Sequence, residues 1–338
     1  MNIPALLKKL IARKDLTEDE AFESIHGILS GEFTEGQIGA FLGTMSAKGE
    51  TIDEIAGAAR AMRAAATRLQ SLAPDTLDTV GTGGDGGMTF NISTTVAFVA
   101  AGAGAVVAKH GNRASSGKSG SADCLECLGF NLSAAPEIME QALNEIGITF
   151  MFAPSFHKAM RFAGPVRKQM GVRTLFNLLG PLTNPAGAPC QLLGVFAPEL
   201  TETFAEVLKK LGSRRVLVVH GHDGMDEITL TTTTRCSELK DGRIKTYDID
   251  PAAYFESYCA NEELEGGAPA DNAKITRGIL EGKITGPKRD IVLINSAASL
   301  LAANRCADLA DGIRQSARSI DSGAALDKLE RLVAFSKT

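Results

Sequence analysis

The chain carries no long basic run, and its formal net charge is −5. Nucleic-acid and anionic-membrane binders concentrate Lys and Arg on one face, so neither partner is expected. No uninterrupted apolar stretch is long enough to span a bilayer. The opening MNIPALLKKLIARKD is cut by charges every few residues and has no apolar h-region, so a secretory signal is not expected. The six cysteines are scattered. Only Cys124-Leu-Glu-Cys127 pairs two of them, without a second C-x-x-C or a histidine at ligand spacing. Reduced structural thiols in a cytoplasmic protein follow. Internal repeats and low-complexity tracts are also missing, which removes solenoid architectures.

What remains is an ordinary globular composition, 44% hydrophobic and 22% charged over 338 residues. That length supports a large core and two packed units. Residues 1–73 read as short helices. Three capping boxes punctuate them, at Thr17-x-x-Glu20, Thr34-x-x-Gln37 and Thr51-x-x-Glu54, each followed by apolar residues at helical spacing. Nothing in that region offers a nucleophile or a metal cluster. After the linker Ser71–Asp75 the pattern changes. Apolar runs at Leu77–Thr82, Ala105–Lys109, Ile148–Ala153, Gln191–Phe196, Arg215–His220 and Arg243–Asp248 alternate with glycine-rich loops and helices. Residues 74–338 therefore form an α/β unit with a mostly parallel central sheet. An amphipathic helix is expected at Ala325–Phe335.

Two loops mimic nucleotide motifs. Gly81-Thr-Gly83-Gly-Asp-Gly86 satisfies G-x-G-x-x-G, but the next strand ends in Lys109-His110 where a dinucleotide fold needs an acid for the ribose. Gly111-Asn-Arg-Ala-Ser-Ser-Gly117-Lys118-Ser119 resembles a P-loop with one residue too many between its glycines. Both loops instead follow strands and run into helices, where free amides and hydroxyls receive phosphate oxygens. Lys109, Arg113 and Lys118 add positive charge. Simple tight turns would not need Asn91, Ser93, Thr94, Ser115, Ser116 and Ser119 beside those cations. A ligand with phosphates at both ends fits two such loops.

Asp85 is repelled by a phosphate unless a cation bridges them. A bare carboxylate 4 Å from an anionic oxygen loses about 4 kcal/mol at an effective dielectric near 20. Asp226-Glu227, on a loop after the Arg215–His220 strand, suits magnesium. Zinc at His220-x-His222 is the alternative, although no third nitrogen or sulfur ligand is nearby. A solvated acidic loop is the plainer one.

Several segments together resemble the anthranilate phosphoribosyltransferase family: GTGGDG at Gly81–Gly86, NIST at Asn91–Thr94, KHGNRASSGKSGSAD at Lys109–Asp123, GPVRKQMGVRTLFNLLGPLTNPA at Gly164–Ala186, and Asp226-Glu227. They run in order over essentially the whole chain, and the KHGN block is the most specific. Thr183, where leucine is more usual, departs from the pattern. The resemblance implies a fold of the nucleoside phosphorylase/phosphoribosyltransferase kind, with a small all-helical domain beside a larger α/β domain. The helical domain would be discontinuous, joined by a segment near 168–190, and would form a homodimer interface. The implied phosphoribosyl pyrophosphate site comprises Gly81, Gly84, Asp85, Thr89, Asn91, Ile92, Ser93, Thr94, Lys109, His110, Gly111, Asn112, Arg113, Ala114, Ser115, Ser116, Gly117 and Ser121. Anthranilate would lie near Gly81, Asn112 and Arg167, with His110, His157 and Pro181 lining its approach. Ser93 and Glu227 would hold one magnesium ion, Asp226 and Glu227 a second.

The implied reaction displaces pyrophosphate from ribose C1 by the anthranilate amine. Because an aromatic amine is a weak nucleophile, the leaving group departs early. The protein must then neutralise pyrophosphate and hold the amine near C1. No residue stands out as an obligatory general base. Two alternatives share the architecture: a pyrimidine nucleoside phosphorylase, and a non-catalytic nucleic-acid-binding relative. The Arg167 segment and KHGN block speak against the first, the acidic charge and intact loops against the second.

Overall fold

The computed structural model describes residues 2–70, 73–83, 89–114 and 117–338. Four helices come first: α1 (Ile3–Ile11), α2 (Glu18–Leu29), α3 (Glu35–Lys48) and α4 (Ile52–Ala65). All three expected capping boxes form. Thr17, Thr34 and Thr51 each accept the N–H three residues on, and Glu20, Gln37 and Glu54 reach back. Each box satisfies amides that the helix start leaves without partners. On α3 the buried stripe is Ile38, Phe41, Leu42 and Met45, at helical spacing.

The α/β region then runs β1 (Leu77–Gly81), α5 (Ile92–Gly102), β2 (Val107–Gly111), α6 (Ser121–Cys127), α7 (Pro136–Ile146) and β3 (Ile148–Phe152). Short helices α8 (Ala153–Phe156), α9 (Gly164–Met170) and α10 (Phe176–Leu179) follow, then β4 (Cys190–Gly194), α11 (Leu200–Lys210), β5 (Arg215–Gly221), β6 (Thr234–Lys240) and β7 (Arg243–Ile249). Four helices end the chain: α12 (Pro269–Leu280), α13 (Pro287–Ala302), α14 (Leu309–Asp321) and α15 (Ala324–Phe335).

The seven strands lie in the order β3-β2-β1-β4-β5-β6-β7. The first five pair in parallel, and β6 and β7 are antiparallel. Strands β4 and β5 are buried along their whole length, as parallel strands covered on both faces must be. The antiparallel strand β6 has no counterpart among the expected strands. Its apolar content is only Cys236 and Leu239 among seven residues, so its pairing with β5, not its own pattern, makes it a strand.

Two cores result. One surrounds the sheet with α5 and α13, whose Val96, Val99, Ile291 and Ile294 are fully buried. The other joins the N-terminal helices to Val166, Phe176, Leu179 and Leu182, and continues through α11 onto Leu193 and Val216 of the sheet. Chain order turns back between β1 and β4, since β2 and β3 lie on one side of β1 and β4 on the other. Ligands of open α/β sheets bind outside the strand ends at such a switch point.

Candidate active site

A cleft of about 790 Å³ opens at this switch point, with Met62 of the helical region on one wall and the C-terminal ends of β1 and β2 on the other. The first glycine loop contributes Gly81, Thr89, Asn91, Ile92 and Ser93. The second contributes Lys109 to Ala114, Gly117 and Ser121. Arg167, Asp226 and Glu227 line the same cavity. Gly84, Asp85, Ser115 and Ser116 lie outside the described residues. Thr94 is the described site residue that does not reach the cavity. It sits in the first turn of α5, with its Oγ1 buried and unpartnered.

The cations divide into three situations. Lys109 is almost fully buried, and its Nζ donates to the Thr79 carbonyl and to Ser93 Oγ at 3.3 Å. Burial lowers the pKa of its ammonium, while Asp78 and Glu227 oppose that shift. Burial likewise raises the Asp78 carboxyl to about 6 against the pull of Lys109. Asp78 also accepts the His110 N–H at 3.0 Å and the Asn184 amide at 2.7 Å. This knot under the sheet end fixes Lys109 from below. Arg113, by contrast, sits at the rim and pairs with Asp123 and Glu126, both at 2.8 Å. Its charge is already matched, which weakens it as a free phosphate ligand. Lys118 is exposed and does not line the cleft.

Asp226 is seated by two glycines that end neighbouring strands. Gly81 and Gly194 are register partners across β1 and β4. A Cβ on Gly81 would lie 2.5 Å from Asp226 Oδ2, and one on Gly194 would overlap the Asp226 carbonyl outright. The Gly83 N–H donates to Asp226 Oδ2 at 2.9 Å. Among the described residues no group of three His, Cys, Asp or Glu gathers that could hold a metal. Two carboxylates and the Ser93 hydroxyl nevertheless suit magnesium, which binds through one or two carboxylates and completes its shell with water and substrate phosphate. The zinc alternative loses its geometry: His220 Nδ1 lies 2.7 Å from the Val195 carbonyl, while His222 faces Asp248 at 3.3 Å. Cys124, within α6, is buried, and burial raises its thiol to about 12, so it is no ready metal ligand.

The remaining wall combines two neutral imidazoles with guanidinium groups stacked on aromatic rings. His110 and His157 are buried with ring centroids 5.1 Å apart, and both Nε2 atoms lack partners. Burial lowers their pKa to about 3 and about 4, so both rings are uncharged near neutrality. Arg167 stacks 5.2 Å over Phe176, and its buried Nε has no partner. A buried, unpaired guanidinium donor on a cleft wall is the group a ligand carboxylate completes. Arg173, stacked 4.4 Å over Phe196, lines the cleft as well and went unnoticed in the sequence.

Comparison with known proteins decides the family. Residues 4–66 match the helical bundle domain, and residues 73–326 the a/b domain, of the glycosyl transferase family. The chain is 57% identical over 332 residues to the anthranilate phosphoribosyltransferase of Desulfosudis oleivorans, covering 98% of both. The chain belongs to the anthranilate phosphoribosyltransferase family. A crystal structure of the Thermus thermophilus anthranilate phosphoribosyltransferase superposes with a TM-score of 0.94 at 44% identity, covering 100% of both chains. The Saccharomyces cerevisiae enzyme of this family, solved with PRPP and Mg, superposes at 0.91 with 28% identity, covering 99% of this chain and 98% of that one. Asp78, Asn184 and Gly194 are the supporting residues of this family site that sequence reading missed. Asp78 and Gly194 carry no motif of their own, and Asn184, though inside the GPLTNPA stretch, shows no local sign of its bonds to Asp78 and the Ala108 carbonyl.

Proposed function

We propose that this chain transfers the phosphoribosyl group of 5-phosphoribosyl 1-pyrophosphate to the amine of anthranilate. The products are N-(5-phosphoribosyl)anthranilate and pyrophosphate, a step of tryptophan biosynthesis. The observation that carries this reading is Arg167, with its unpaired buried Nε, on the same cleft as both phosphate-type loops. A nucleoside phosphorylase needs no arginine there for an aryl carboxylate.

The protein's own groups divide the work. Lys109 and the amides of the two glycine loops offset charge on the departing pyrophosphate. Arg167 grips the anthranilate carboxylate and, with Asn112, holds the amine near ribose C1. Uncharged His110 and His157 line the approach without repelling or trapping the amine. Ser93 and Glu227, and Asp226 with Glu227, would hold two magnesium ions, which when bound supply positive charge to the pyrophosphate oxygens. We assign no acid or base.

The segment near 168–190 belongs, on this reading, to the helical unit, whose core it shares. We further propose a cytoplasmic homodimer assembled through the N-terminal helices; a monomeric mass in sedimentation at micromolar concentration would refute the assembly. The functional test is direct. Protein, magnesium, phosphoribosyl pyrophosphate and anthranilate are mixed, and anthranilate fluorescence should fall. Unchanged fluorescence together with phosphorolysis of thymidine or uridine would establish the phosphorylase instead.

A further inference from the structure

Helix α12 lies outside the cleft, yet its buried Asn272 bonds to the first phosphate-type loop and, through Asn91, is linked to the second. Asn272 Oδ1 accepts the Gly267 N–H at 2.7 Å, and its Nδ2 donates to Asn91 Oδ1 at 3.0 Å. Asn91 Oδ1 also accepts from Ser119 Oγ at 2.9 Å, and Asn91 Nδ2 donates to the Ser119 carbonyl at 3.1 Å. Asn91 ends the first loop and Ser119 ends the second. One turn along α12, Thr276 continues the seam, with its Oγ1 2.9 Å from Thr95 Oγ1 on α5. The approach admits nothing larger at Gly266, where a Cβ would lie 2.5 Å from Phe90 N and 2.6 Å from Asn272 Oδ1.

Amide orientation is ordinarily inferred from the bonding network. Here backbone groups anchor both ends of that network. Gly267 N–H can only donate, so Asn272 must face it with oxygen. Its Nδ2 then faces Asn91, which must answer with Oδ1. Asn91 Nδ2 is thereby turned to the Ser119 carbonyl, which can only accept. Among the described residues Asn91 Nδ2 donates one bond, to Ser119, and Asn91 lines the cleft, so its second N–H is available to a bound sugar phosphate. A reversed Asn91 amide would present a carbonyl to phosphate and set its oxygen against that of Ser119.

We infer that Asn272 is a positioning residue for the sugar-phosphate donor: it fixes the sense of the Asn91 amide so that an N–H, not an oxygen, faces the donor's anionic groups. This rests on the proposed transfer reading. Asn272 touches no reacting atom and acts only through Asn91.

Asn272→Asp tests this, because it keeps the shape and the acceptor for Gly267 but removes the donor to Asn91. The KM for phosphoribosyl pyrophosphate should rise roughly tenfold, the worth of one such bond to a charged group. The KM for anthranilate should stay within about twofold. Calorimetric titration with phosphoribosyl pyrophosphate and magnesium should show the same weakening without turnover. In an Asn91→Ala background, Asn272→Asp should cost nothing further, since its target is gone. Additive effects in that cycle, or equal shifts in both KM values, overturn the inference. Should the aspartate variant fail to fold, Asn272→Ser takes its place in the same cycle. A wild type that never consumes anthranilate overturns the transfer reading and this inference with it. A working wild type with an additive cycle overturns only the inference.

Discussion

At the scale of single residues, the site depends as much on missing atoms as on present ones. Gly194 has no side chain because the Asp226 carbonyl occupies the space where Cβ would be. Backbone cannot rotate out of the way as a flexible side chain can, so Gly194→Ala must push the Asp226 loop outward. We expect a stability loss of about 1–3 kcal/mol from overpacking. Transfer should fall by far more than the loss of folded protein explains. Denaturation and kcat measured on the same preparation would check this, and an alanine variant with wild-type kcat would contradict the seating described for Asp226. Arg167 makes the opposite case, a present group whose buried Nε has no hydrogen-bond partner. Arg167→Ala removes a charge-assisted bond worth roughly 1.5–3 kcal/mol, or about ten- to hundredfold in transfer efficiency. The loss should fall on the anthranilate KM with the donor KM little moved. Steady-state kinetics in each substrate separately distinguishes this from an ordinary surface arginine, whose loss would leave both unchanged.

Among the elements, α4 shows how a local signal can serve a distant contact. Glu54 is the third residue of a capping box, and its Oε2 accepts the Thr51 N–H at 2.8 Å. The same carboxylate is fully buried, pairs with Lys48 at 2.8 Å and accepts the Leu16 N–H at 2.8 Å. It therefore ties α4 to the end of α3 and to the loop before α2. Glu54→Ala leaves the Leu16 and Thr51 amides without their acceptor, while Lys48 keeps Asp15 and the Gly49 carbonyl, both at 2.7 Å. The substitution should lower stability by about 2–3 kcal/mol. Thr34→Ala, which removes an exposed cap, should cost only about 1 kcal/mol. Urea denaturation of the two variants side by side tests the ratio; equal losses would mean Glu54 acts as a cap alone. The motif was legible in the sequence as S/T-x-x-E. Its burial was not, because Lys48 and Leu16 meet Glu54 only after three helices pack.

For the whole molecule, the buried imidazoles link folding to pH. Their folded pKa values, about 3 for His110 and about 4 for His157, lie below the ordinary 6.5. Between those limits the unfolded chain binds more protons than the folded one, so stability rises with pH and is lost as pH falls from roughly 6.5 toward 4. Each ring contributes a slope of up to about 1.4 kcal/mol per pH unit in that window. Asp78 acts in the opposite sense, because its raised pKa makes the folded state hold a proton that the unfolded state releases above 3.8. The wild-type slope therefore mixes both signs, and variants are needed to separate them. Replacing both histidines by glutamine should flatten the fall in stability between pH 6.5 and 4.5. Urea midpoints across that range decide it, and an unchanged slope would mean the rings are protonated in the folded state.

The sequence by itself determined the helical and α/β halves, every strand but β6 to within about two residues, the three helix starts and the two loops that line the cleft. All of these are written in neighbours: a capping pair three apart, an apolar run between glycines, hydroxyls beside cations. The family resemblance added Arg167, which no local pattern marks. Tertiary structure decided the rest. Strand β6 exists because β5 offers it an edge. Arg113 is matched by acids ten and thirteen residues on, across a turn that the spacing did not disclose. Asp78, Asn184, Gly194 and Asn272 matter only because the reversal of strand order brings β1 and β4 side by side, and because α12 packs behind both loops. Such residues act through hydrogen bonds and steric exclusion between segments far apart in the chain. Periodicity and composition hold no record of that distance.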